Sequence, residues 1–169
     1  MIGNRPAAVG NCGAAYDKKG YVVISGGRIQ TGGALGSGTP TTISARINVN
    51  SLAIERIGAM ATARSDHATL MLNGAKNDST ILTASGEQTT TPATELLNIT
   101  TWDARANPPA FMQRFASNIT DLAEVARMVG GIDTSGKPTN RGQWYDTKSG
   151  WRPMPRMQTP RAKAPMTLV

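Results

Sequence analysis

The chain has 169 residues, enough for one domain with a real core and too few for two large ones. With 39% hydrophobic and 17% charged residues it is a folding composition, which excludes a disordered chain, and no run of 18 apolar residues exists to form a membrane-spanning helix. The formal charge of +7 admits an acidic protein, a nucleic acid or an anionic membrane surface as partner.

Eighteen glycines and ten prolines are spread along the sequence, a pattern of many short elements joined by turns. Short windows of apolar–polar alternation predict strands over 9–16, 21–25, 42–49 and 52–57. Asp17-Lys18-Lys19-Gly20 reads as the hairpin turn between the first two. Residues 32–38 are Gly-rich but lack the Lys-Ser/Thr of a phosphate loop, so they read as a flexible loop. Further strands follow over 67–72, 80–84 and 94–102, with a weak one near 110–112. The next group is 115–119, 124–129, 142–146 and 151–154. Asp121-Leu122-Ala123-Glu124 begins as a capped helix would, with Leu122, Ala126 and Val129 on one helical face, but its place in the repeat described next favours a strand. Residues 161–169 read as a lone further strand.

The chain repeats itself. Met60-Ala-Thr-Ala-Arg64 matches Met157-Gln-Thr-Pro-Arg161, with a degenerate copy at Phe111-Met112-Gln113-Arg114, so arginines 64, 114 and 161 lie 50 and 47 residues apart. A second marker is a β-prone run closing in small residues: Gly26-Gly27, 22 residues after Arg5; Ser85-Gly86, with Gly86 22 after Arg64; and Gly130-Gly131, with Gly131 17 after Arg114. Such residues take a left-handed backbone or admit a neighbouring backbone closely. A third marker is an aromatic–acid pair, clearest at Trp144-Tyr145-Asp146 with Trp151 beyond it. Its middle copy is Trp102-Asp103, and its first copy falls at Val49-Asn50 without aromatics.

A basic residue, a strand ending in Gly-Gly, a Tyr-Asp, a Trp and a Met-Pro segment before the next Arg resembles the Kelch repeat, and the third copy carries nearly every mark. The resemblance implies an all-β fold of Kelch-type propeller blades: about three four-stranded antiparallel sheets plus one extra strand, a partial propeller in one domain over 1–169. The blades fall at 5–63, 64–113 and 114–160, and 161–169 opens a further one. It implies that Tyr145, Trp151 and Trp102 pack between neighbouring blades and that Arg64, Arg114 and Arg161 are structural, as are Gly26, Gly27, Gly86, Gly130 and Gly131. Propellers have four to eight blades. Three leave open edges, so a partner is expected to cover them: another copy, a different subunit or the remainder of a longer chain.

Little here points to chemistry. The single histidine, His67, and single cysteine, Cys12, make neither a zinc or copper site nor a disulfide framework, and no cofactor is expected. Cys12 reads as a small buried hydrophobe. There is no nucleophile elbow or dinucleotide fingerprint, and Asp66, Glu87, Asp103 and Asp133 stand apart in the sequence. The resemblance instead directs attention to the loops at 28–40, 87–93 and 132–141, which emerge on one face and offer Arg28, Glu87, Asp133, Lys137 and Arg141 for recognition. The expected function is a non-enzymatic protein-interaction scaffold. Alternatives are a Kelch-like sugar-binding or sugar-modifying protein, or a basic subunit contacting nucleic acid. From Lys137 to Lys163 there are seven basic residues and one acid, yet aromatics are few for the single-strand stacking platform that nucleic-acid binding would use. Asn77, Asn98 and Asn118 head glycosylation sequons, while the absence of a leader-like start favours an intracellular chain.

Overall fold

A computed structural model describes residues 9–29, 38–73, 79–87, 93–109, 112, 115–119 and 125–162. The strands in chain order begin with β1 (Val9–Gly10), β2 (Gly13–Tyr16), β3 (Tyr21–Ser25), β4 (Arg28–Ile29), β5 (Thr39–Pro40), β6 (Ser44–Asn48) and β7 (Ile54–Arg56). Then come β8 (Ala68–Asn73), β9 (Ser79–Ala84), β10 (Thr94–Asn98) and β11 (Thr101–Arg105). The last are β12 (Ala116–Ile119), β13 (Val125–Val129), β14 (Gly142–Asp146) and β15 (Gly150–Met154). Among the described residues the fold is all-β.

Three sheets have four antiparallel strands each, in the orders β2-β3-β6-β7, β8-β9-β10-β11 and β12-β13-β14-β15. A small sheet, β1-β4-β5, accompanies the first. The hairpin predicted at 17–20 forms for a local reason: the Asp17 carboxylate accepts the amides of Lys19 (2.7 Å) and Tyr21 (2.9 Å), and Lys18 and Gly20 take φ of 60° and 99°. Asn48 and Asp146 do the same work where β6 turns into β7 and β14 into β15, accepting the amides two and three residues on.

Four sequence expectations change. The span 9–16 is two strands, interrupted at Asn11, whose φ is 54°. The span 94–102 is a hairpin turning at Ile99 (φ 57°), a residue type that carries no turn signal. The fourth strand of the second sheet is therefore β11 and not 110–112; residues 110–111 lie outside the described residues, and Met112 is fully buried in the core. The loop at 28–40 begins and ends as strands of the small sheet. Val125–Val129 is a strand with alternating burial, while 120–124 lie outside the described residues. Of the expected terminal strand, Arg161 bridges Thr139 and 163–169 lie outside the described residues.

The second sheet is covered on both faces. Ala68, Leu72, Leu82, Ala84 and Leu96 pack with Ala126, Met128 and Tyr145 of the third sheet. Met71, Ile81 and Leu97 on the alternate face pack with Val23 of the first. This double burial explains why Thr94-Glu95-Leu96-Leu97 reads as a run and not as an alternation.

Candidate functional site

The second strand of every four-stranded sheet ends in two consecutive left-handed residues: Gly26 and Gly27 (φ 59° and 98°), Ser85 and Gly86 (56° and 90°), Gly130 and Gly131 (69° and 95°). The first of each pair donates its amide to the segment opening the third strand, at the carbonyls of Ile43, Ala93 and Arg141. The second donates to the segment leading into the next repeat: Gly27 to Arg64 O (2.8 Å), Gly86 to Met112 O (3.0 Å), Gly131 to Arg161 O (2.7 Å). A Cβ at Gly26, Gly86 or Gly130 would stand 2.5 Å from a backbone carbonyl oxygen, so glycine is needed for approach as well as for φ. The glycine markers thus occupy equivalent positions.

The arginine marker has a separate task. Arg64 is fully buried; its guanidinium donates to Ala93 O (3.0 Å) and Thr62 O (3.4 Å) and pairs with Glu95 at 2.7 Å. Burial pushes the guanidinium below its ordinary value, and the Glu95 carboxylate opposes that. Glu95 also accepts the amides of Ala61 (2.7 Å) and Thr62 (3.2 Å), so each member of the pair is satisfied by more than its partner. Sequence reading missed Glu95, because it lies inside an apolar strand 31 residues from Arg64. Arg114 lies outside the described residues.

Beside this pair lies a polar relay. The Ser25 hydroxyl is 2.9 Å from Thr69 Oγ1 and 3.1 Å from His67 Nε2, a separation that would suit a nucleophile and its base. The environment argues otherwise. Ser25 is fully buried, and burial, aided by the Arg64 charge, pushes the His67 imidazole down to about 3. A ring neutral near pH 7 with so low a value is a poor proton acceptor. His67 Nδ1 is sealed and, with Ser65 Oγ and Ser85 Oγ, lacks a hydrogen-bond partner among the described residues. The relay ties the end of β3 to the segment entering β8 through side chains.

Of the five recognition residues, two come together. Arg28 and Glu87 immediately follow the left-handed pairs of adjacent sheets and form an ion pair, with Arg28 also donating to Gly38 O. Asp133, Lys137 and Arg141 sit in the corresponding loop of the third sheet. Asp133 caps a turn there, accepting from the Ser135 hydroxyl (2.6 Å) and the amides of Ser135 and Lys137, bonds that hold its carboxyl below the usual range. Lys137 and Arg141 are exposed. Cys12, expected to be buried, is exposed.

The aromatic marker was one strand out of register. Trp102 is the second residue of the fourth strand, as Trp151 is, whereas Tyr145 stands on the third strand opposite Trp151. Trp102 Nε1 donates to Ser44 Oγ of the first sheet (3.1 Å), and Trp151 Nε1 donates to Thr94 Oγ1 of the second (2.8 Å). Each acceptor opens the third strand of the preceding sheet, so the two tryptophans make the same bond at successive interfaces. The Tyr145 and Trp151 rings lie 5.1 Å apart.

No protein-family model matches the chain, and no curated protein sequence matches it. The fold is shared with a solved structure titled "Structure of YjhT". The match has a TM-score of 0.73 at 11% identity and covers 95% of this chain. The chain spans 56% of the length of that structure. At that identity the likeness concerns the fold alone.

Proposed function

We propose that the three four-stranded sheets are Kelch-type propeller blades and that the chain is a protein-interaction scaffold whose first sheet docks a further β-sheet from another copy or a different subunit. One comparison of rows carries this reading. Across the second sheet, Met71, Ile81, Leu97 and Trp102 stand in register and pack toward the first sheet. Across the third, Ala126, Tyr145 and Trp151 hold the same positions against the second. In the first sheet the row is Tyr16, Val22, Ile47 and Ile54, apolar throughout, with Tyr16 48% exposed and no sheet against it among the described residues. In this reading Arg28, Glu87, Asp133, Lys137 and Arg141 belong to the loops that follow the second strands, a polar face apart from the docking row where recognition is expected.

Solution mass tests it. Sedimentation of the chain is expected to give a mass above the 17.8 kDa of one copy, and Val22→Glu with Ile47→Glu is expected to return it to a monomer with the same thermal melt. A clean wild-type monomer with a single cooperative melt overturns docking by a second copy.

A further inference from the structure

The face of the third sheet turned away from the second carries a different row. Tyr145, Ala126 and Trp151 point toward the second sheet, so strand alternation puts Arg127, Trp144 and Arg152 on the opposite face. The register sets these three directly opposite one another across β13, β14 and β15, with the indole between the two arginines. Along the chain they are 17 and 8 residues apart, so only the pairing of strands brings them side by side. Trp144 is 38% exposed, Arg152 is exposed and Arg127 half-buried.

The equivalent rows show what is unusual here. In the first sheet the row is Val23, Arg46 and Glu55, and Arg46 is neutralised by Glu55 at 2.8 Å. In the second it is Leu82, Leu96 and Asp103, with the two leucines packed in the core. The third replaces these with two cations around an indole and has no acid in the row. Neither Arg127 nor Arg152 joins an ion pair among the described residues. Asp146, nearby on the same face, feels the Arg152 charge without forming an ion pair with it, and its oxygens accept the amides of Lys148 and Ser149 and the Ser149 hydroxyl. Lys148 and Arg156 add exposed positive charge close in sequence.

A protein sheet docking on this row would have to dry two guanidiniums and supply a carboxylate to each. A single-stranded nucleic acid meets the same row without that requirement: a base stacks on the indole, and phosphates reach the arginines at the solvent edge. We propose that the Arg127–Trp144–Arg152 row binds single-stranded nucleic acid. The proposal rests on the register of the third sheet alone and is independent of the docking proposed for the first.

Fluorescence anisotropy of a short labelled oligothymidylate, with quenching of tryptophan emission as a second signal, tests it. Binding is expected to weaken with salt with a log–log slope of about −1.4, as for two phosphate contacts. Trp144→Leu is expected to cost about tenfold or more, Trp144→Phe to retain most of the affinity, and Arg127→Glu with Arg152→Glu to abolish binding. Lys19→Glu, on the hairpin of the first sheet, controls for net charge and leaves binding in place. All variants are compared at matched thermal melts. No binding at low salt overturns the proposal, as does loss with the arginine variants but not with Trp144→Leu. Competition by polyglutamate at equal charge concentration also overturns it and assigns the row to an acidic protein.

Discussion

Ser85 stands where the other two sheets have Gly26 and Gly130, and it takes φ 56° with its hydroxyl sealed and without a partner among the described residues. A non-glycine residue in that region costs about 1–2 kcal/mol, partly offset in glycine by its larger unfolded-state entropy. Ser85→Gly is therefore expected to raise the urea midpoint, by about 1 kcal/mol of stability. Gly86→Ala is expected to lower it by about 2–3 kcal/mol, since φ is 90° and the new Cβ would stand 2.5 Å from Ser65 O. Opposite signs at neighbouring residues test the equivalence of the three strand ends. His67 makes a second prediction. Its folded value of about 3 lies below the ordinary 6.5, so below pH 6.5 the unfolded chain takes up a proton that the folded chain refuses. Stability is lost as pH falls from about 6.5 toward 3, by up to about 1.4 kcal/mol per unit for a whole proton. The loss is smaller here because the residue as a whole is only partly buried. Urea titrations across this window are expected to slope for the wild type and to flatten for His67→Gln.

At the scale of elements, the tryptophans define how one sheet sits on the next. Trp102 and Trp151 occupy the same strand position, and each donates one hydrogen bond to a hydroxyl at the start of the preceding sheet's third strand. Replacing either with Phe keeps an aromatic ring but removes the donor and part of the packed volume, which is expected to cost about 1–3 kcal/mol. The two losses are expected to be alike, because the local geometry is alike; strongly unequal losses in denaturant titrations would show that the two interfaces are built differently. The turns between third and fourth strands show a limit on equivalence. Asn48 and Asp146 cap theirs by accepting amides through their side chains, whereas at the Ile99 turn the Asn98 carbonyl accepts the Thr100 amide at 2.6 Å and the Thr101 hydroxyl at 3.2 Å. That difference hid the turn from sequence reading and merged two strands into one.

For the whole molecule, burial is greatest in the middle. Leu72, Leu82, Ile81 and Ala84 of β8 and β9 are at most 1% exposed, and both faces of their sheet are covered. Their amides are expected to exchange slowest with solvent deuterium, and those of the edge strands β7 and β15 fastest; the reverse order by mass spectrometry would contradict the central place of the second sheet. The sequence alone determined what is local. Alternation located strands such as Tyr21–Ser25 and Gly142–Asp146, and the paired small residues marked three equivalent strand ends, because a strand's period and a left-handed backbone are properties of adjacent residues. Only the tertiary structure decided which distant residues meet. The burial of Arg64 against Glu95, the ion pair of Arg28 with Glu87 and the row of Arg127, Trp144 and Arg152 all depend on strand register or on neighbouring sheets. A one-residue slip in register would turn every side chain of a strand to its other face, and no short window of sequence holds that information.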